Sequence, residues 1–225
     1  TAKRMTEVIR EESCCLRVGA LSGPNLAAEV LRGDPSATVV ASHYDEVVTA
    51  ATRVLMGPSF RVYGNSDVLG AELGGAMKNV IAIAAGVAAG LEYGDNTKAL
   101  LVTRGLAEIR RLGVRMGADP MTFAGMAGIG DLMVTCASPL SRNHQVGRRL
   151  AAGQSLTQIQ DEMFQTAEGI NTAKVAVELS RKLDVFMPIS KGVHQLLYEE
   201  RPAFEVVKDL MSIQATYEVD RPINL

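Results

Sequence analysis

The sequence predicts a mainly α-helical protein in which a partial α/β unit, ending near Ser66, is joined to an all-helical domain. Three observations carry this reading. Short β-preferring runs alternate with helical periods up to Asn65. Past that point the strand signal vanishes and apolar residues recur at helical spacing. Third, residues 70–91, GAELGGAMKNVIAIAAGVAAGL, form the stretch around which the rest of the chain is organised, within the longest proline-free part, between Pro58 and Pro120. Residues 80–91 are all apolar or glycine. Such a run is too short for a bilayer, which needs about 20 residues. Lys78 and Glu92 close it, so it reads as a helix buried on all sides.

Taken in order, residues 5–12 read as a short amphipathic helix, and residues 16–21 as a strand ending in the turn Ser22-Gly23-Pro24-Asn25. Asn25 is placed to cap a helix over 26–32, which Gly33-Asp34-Pro35 ends. A second strand follows at 37–41, a helix at 45–56 with Val47, Val48, Ala51 and Leu55 inward, and a third strand at 60–63. This alternation predicts crossover connections and a mostly parallel sheet. Three strands are few for an α/β domain, and the first residue is Thr1, so the chain is expected to be a fragment or processed product. Helices are then expected at 67–91, at 96–116 with Arg and Glu alternating on its outer face, and from Asp119-Pro120, an aspartate cap with proline in the first turn. Residues 125–137 read as loop or short helix, with further helices at 141–152, 155–163, 169–183, 189–200 and 202–211.

Composition removes several function classes. A net charge of −2 and a pI near 6.0 offer no basic surface for nucleic acid and no polybasic tail for a membrane. The three cysteines comprise an adjacent pair, Cys14-Cys15, and Cys136, without zinc spacing, which points to a reduced, cytoplasmic setting. No signal peptide, internal repeat or low-complexity segment is evident.

Few residues stand out as carriers of chemistry. Lys78 heads the buried run. There it either turns to base chemistry, because burial favours the neutral amine, or snorkels to solvent. Asp131, in Gly128-Ile129-Gly130-Asp131-Leu132, is either a plain turn residue or a carboxylate that holds a lysine or a hydroxyl. Ser141-Arg142-Asn143 opens a helix after Pro139. A serine cap, outward N–H groups and a guanidinium fork make it the best anion site in the chain, with His144, Arg148 and Arg149 following, unless this is only a solvated basic face. Ser22-Gly23-Pro24-Asn25 lies at a strand's C-terminal end, where α/β ligands bind. Glu168-Gly169 is a weaker candidate, and His43, His194 and the ten methionines read as structural. No GxGxxG turn follows a strand.

The ordered set of segments resembles the bacterial NAD(P)-dependent glycerol-3-phosphate dehydrogenases. The matching pieces are SGPNLAAEV, FRVYGNSD, LGGAMKNVIAIAAG, TRGLAEIRRLG, GADPMTFAGMAGIGDLMVTC, SRN and AEG, in order from Ser22 to Gly169. The resemblance implies the C-terminal part of a Rossmann-like NAD(P)-binding domain over 1–66. A helical substrate-binding and dimerisation domain over 67–225, like that of 6-phosphogluconate dehydrogenase, would follow. It also implies a homodimer that interconverts dihydroxyacetone phosphate and sn-glycerol 3-phosphate for glycerophospholipid synthesis, using NAD or NADP. By position, Lys78 would exchange the proton on the C2 oxygen and Asp131 would orient it, with Thr135 close by. Gly23 and Asn25 would face the substrate, and Ser141, Arg142 and Asn143 would hold its phosphate. Ala27, Arg142, Thr166 and Glu168 would touch the dinucleotide. The family's Gly-rich turn and a substrate lysine fall upstream of Thr1, so the chain alone is expected to turn over poorly or not at all. Two other readings stand beside this: another lysine-dependent hydroxyacid dehydrogenase, and a non-catalytic helical dimerisation or ligand-binding module.

Overall fold

The computed structural model describes residues 2–163 and 165–214. The first part holds α1 (Met5–Glu12), β1 (Gly19–Ser22), α2 (Ala27–Arg32), β2 (Ser36–Ser42), α3 (Asp45–Leu55) and β3 (Phe60–Asn65). Helices follow: α4 (Val68–Gly90), α5 (Asp95–Met116), α6 (Pro120–Ala124), a π-turn over Met126–Gly130, α7 (Asp131–Ala137), α8 (Arg142–Ala151), α9 (Leu156–Glu162), α10 (Glu168–Leu183), α11 (Pro188–Tyr198) and α12 (Ala203–Met211). This is the mainly helical class the sequence predicts, with a small sheet at its N-terminal end.

The sheet runs β1-β2-β3, and here the expectation of a mostly parallel arrangement fails for its first pair. β2 and β3 are parallel, Ser36 opposite Phe60, but β1 runs antiparallel to β2, with Ser22 opposite Val39. The reason lies in α2, which buries none of its residues and leaves Leu31 exposed. A crossover helix must cover the sheet face; α2 only returns the chain to the end it left. Asn25 is not the cap of α2 either: its amide donates to Thr38 Oγ1 at 3.1 Å, and Leu26 occupies the cap position. β2 is the central strand, buried from Thr38 to Ser42. Its side chains alternate between faces: Val39 and Ala41 pack with Val68, Ala71 and Ala127, on the side of α4.

α4 is the axis of the helical part, in contact with α5, α7, α8, α10 and α11. By length and composition it could cross a membrane, yet most of its apolar stretch is buried inside the protein. Val80, Ile81 and Ile83 are wholly buried, each worth about 1.5–3 kcal/mol relative to exposure. Its closest approach is to α8, and two glycines permit it. A Cβ on Gly86 would stand 2.0 Å from the His144 carbonyl oxygen, and one on Gly147 would stand 1.9 Å from that of Ile83. The helices therefore cross backbone to backbone, which brings the start of α8 toward the middle of α4.

The outer-face reading of α5 needs one correction. Glu108 is only 1% exposed, and its carboxylate accepts from the N–H groups of Ile189 (2.5 Å) and Ser190 (3.1 Å) and from Ser190 Oγ (2.9 Å). It caps α11, whose own N-cap residue, Met187, makes no side-chain cap bond.

Candidate active site

Lys78 and Asp131 meet. Lys78 Nζ donates to Asp131 Oδ1 at 2.5 Å, with side chains 20% and 5% exposed, so the pair is shielded yet open on the lysine side. Local structure explains how they find each other. Lys78 projects from α4 just ahead of its most buried segment. The stretch around Gly128 and Gly130 winds into the π-turn, a distortion common at functional sites, and Asp131 follows as the first residue of α7. Asp131 is fixed from two further directions. The Gly23 N–H donates to its Oδ2 at 3.3 Å, and Thr135 Oγ1 donates to its carbonyl at 2.6 Å while lying 3.3 Å from Oδ1. Gly23 turns the chain out of β1 with φ of +134°, a conformation that L side chains rarely adopt, so glycine is required there.

On the next turn of the site stands a relay of amides. Asn143 Nδ2 donates to Asn79 Oδ1 at 2.9 Å, and Asn143 Oδ1 accepts from the Gly169 N–H at 2.9 Å. This ties α4, the start of α8 and the start of α10 together beside Lys78. Ser141 caps α8, its Oγ accepting from the His144 N–H at 3.3 Å. Arg142 donates through Nη1 to the Thr166 carbonyl and through Nη2 to Glu168, both at 2.9 Å. These bonds occupy two of its five N–H donors and hold the guanidinium half-exposed at the rim.

The rest of the basic run disperses. At 100° per residue, His144 and Arg148 lie on the far side of α8 from Arg142. Burial, then the charges of Arg148 and Lys98, lowers the His144 pKa, which disfavours its charged form. Arg149 is paired with Glu162. Cys136, one residue beyond Thr135, is buried, and burial pushes its thiol up to about 12 against the lowering pull of Lys78.

A cleft of about 710 Å³ opens over the pair, with Ser22, Gly23, Asn25, Gly75 and Asn171 among its walls. The geometry thus brings together Lys78, Asp131, Thr135 and Gly23, with Asn25 lining the same cleft. It joins Ser141, Arg142, Asn143, Thr166 and Glu168 in an adjoining group. Ala27 is exposed at the start of α2, and no bond links it to either group. Asn79 is the residue sequence reading passed over. Its position next to Lys78 was the only signal, and its partner lies 64 residues away. Among the described residues no cluster suited to a metal ion occurs.

Comparison with known proteins decides the family. A family model described as the NAD-dependent glycerol-3-phosphate dehydrogenase C-terminus matches residues 67–208, and the corresponding N-terminus model matches residues 1–48. The chain belongs to the NAD-dependent glycerol-3-phosphate dehydrogenase family. A glycerol-3-phosphate dehydrogenase [NAD(P)+] of Pseudomonas aeruginosa is 48% identical over 220 residues, 98% of this chain and 65% of that protein. The crystal structure of a glycerol-3-phosphate dehydrogenase from Coxiella burnetii superposes with a TM-score of 0.90 at 36% identity, over 94% of this chain and 65% of that one. The yeast Saccharomyces cerevisiae enzyme gives a TM-score of 0.80 at 30% identity, over 92% of this chain and 62% of that one. The chain thus spans just under two thirds of the length of these glycerol-3-phosphate dehydrogenases.

Proposed function

We propose that this chain carries the substrate-handling half of an NAD(P)-dependent glycerol-3-phosphate dehydrogenase. The reaction interconverts dihydroxyacetone phosphate and sn-glycerol 3-phosphate in the cytoplasm, as a supply for glycerophospholipid synthesis. Residues 1–66 belong to the dinucleotide-binding domain, and residues 67–225 form the substrate and dimerisation domain of a homodimer; residues 1, 164 and 215–225 lie outside the described residues. The observation that carries the reading is the shielded Lys78–Asp131 pair, held by the Gly23 N–H at the floor of a cleft.

In the oxidising direction Lys78 Nζ takes the proton from the C2 hydroxyl; in the reducing direction it returns that proton to the carbonyl oxygen. Asp131 keeps the amine aimed, because its second oxygen is tied to the Gly23 N–H and cannot swing away. A nicotinamide held there would supply the hydride acceptor or donor for C2. The Arg142 cluster fits a dinucleotide edge as well as a phosphate: its fork keeps N–H donors beyond the Thr166 and Glu168 bonds, and the cluster is exposed. Ser141, Arg142 and Asn143 at the start of α8 hold the substrate phosphate, Asn25 lines its path, and Ala27, Thr166 and Glu168 flank the cofactor.

The test is calorimetric titration of sn-glycerol 3-phosphate, at low salt, into the chain and into Arg142→Ala. A dissociation constant that the substitution raises at least tenfold supports the phosphate role, since a charge-assisted pair contributes about 1.5–3 kcal/mol. An unchanged isotherm would remove Arg142 from the site. Absence of heat from both favours the reading as a helical folding and dimerisation module.

A further inference from the structure

Ser22 ends β1 next to Gly23, and its hydroxyl is buried with no hydrogen-bond partner. Buried polar groups are nearly always paired, so an orphan beside a reactive site calls for a reason. The backbone around it is engaged: the Ser22 carbonyl accepts from Thr38 Oγ1 at 3.0 Å, and the next N–H goes to Asp131. The hydroxyl faces Gly75, which stands three residues, about one helical turn, before Lys78 on α4. A side-chain carbon at position 75 would lie 3.2 Å from Ser22 Oγ and within 4 Å of nothing else beyond the local helix. Gly75 thus sets no side chain against this oxygen, and both residues line the cleft that Lys78 and Asp131 share.

We propose that Ser22 is a specificity residue whose hydroxyl hydrogen-bonds the terminal C1 hydroxyl of the three-carbon substrate. The inference rests on the glycerol-phosphate reading of the site. Its direction follows from α4. Asn79, just past Lys78, is tied to Asn143 and so to the phosphate end at the start of α8. Gly75 lies on the other side of Lys78, so a ligand with its middle oxygen at Lys78 points its free end toward Gly75 and Ser22. A turn about the Ser22 Cα–Cβ bond presents the hydroxyl to that end, and forfeits no hydrogen bond because none is made. A substrate lacking the hydroxyl would leave Ser22 unpaired, which is how a polar pocket rejects a deoxy analogue.

The experiment is titration of the chain with sn-glycerol 3-phosphate and with 2-hydroxypropyl phosphate of the same configuration, in which hydrogen replaces only the C1 hydroxyl. The unsubstituted chain should prefer the former by about tenfold, the effect of one hydrogen bond. Ser22→Ala should bring that preference near unity by weakening glycerol phosphate alone. Its thermal midpoint should be equal or higher, since an unpaired buried hydroxyl is removed. Gly75→Ala, whose methyl would stand 3.2 Å from Ser22 Oγ and crowd it, should also abolish the preference. An undiminished preference in Ser22→Ala overturns the inference and leaves the enzymatic reading intact, whereas binding of neither phosphate by the unsubstituted chain overturns both.

Discussion

At the scale of single residues, Glu108 shows how tertiary structure redefines a charge. Within α5 it sits in an Arg- and Glu-rich pattern of the kind that coats a solvent face, yet its carboxylate is enclosed and caps α11. Burial pushes its pKa up to about 7, against the N–H donors of Ile189 and Ser190 and the charge of Arg111. The folded state therefore retains a proton that the unfolded chain, near the ordinary 4.5, has released. The resulting stabilisation is complete below about pH 4.5 and is lost as pH rises through about 7, with a ceiling of about 3 kcal/mol. Glu108→Gln keeps an acceptor for α11 without the ionisation. Urea midpoints from pH 5 to 8 should fall for the unsubstituted chain relative to this variant. Parallel profiles would show that Glu108 stays unprotonated or fully solvated.

Lys78 and Asp131 were legible as residues worth singling out, since a lysine at the head of an apolar helix and an aspartate in a glycine-rich turn are both unusual placements. That they form a pair was not legible from local chemistry, because 53 residues separate them. The resemblance supplied the partnership, and the 2.5 Å contact is its structural counterpart. The basic run after Ser141 shows the converse. Its one-dimensional density suggested a shared anion site, but helical geometry sends His144 and Arg148 away from Arg142.

Among the elements, the crossing of α4 and α8 governs the position of the Arg142 group. Gly86 is where the backbone of α8 comes up against α4. Gly86→Ala places a methyl 2.0 Å from the His144 carbonyl oxygen, so the helices must part. The expected cost is about 3 kcal/mol in urea unfolding, at the upper end for overpacking, and glycerol phosphate binding should weaken with it. Unaltered stability would mean that α8 can shift freely. The sheet was read less well. The alternation of strands and helices was correct, but strand direction depends on whether the connecting helix covers the sheet, and α2 is too short and too exposed to do so.

For the molecule as a whole, the core is one continuous cluster around α4, with a smaller one where Val39, Ala41, Val68, Ala71 and Ala127 join the sheet to α4. Hydrogen exchange should reflect that hierarchy. Amides of Val80, Ile81 and Ile83 should exchange slowest, and those of α2 and α3, which bury no residue fully, fastest. Protection in α2 equal to that in α4 would contradict this organisation. The sequence by itself determined the helical part, its central buried helix, the capping serine and aspartate, and which residues are candidates for chemistry, because these follow from periodicity, side-chain chemistry and propensities acting within a few turns. Only the tertiary structure decided strand direction, the burial of Glu108, the Asn79–Asn143 tie and the orphaned Ser22 hydroxyl. Each of these depends on contacts between segments far apart in the chain, where packing rather than local propensity fixes which groups meet.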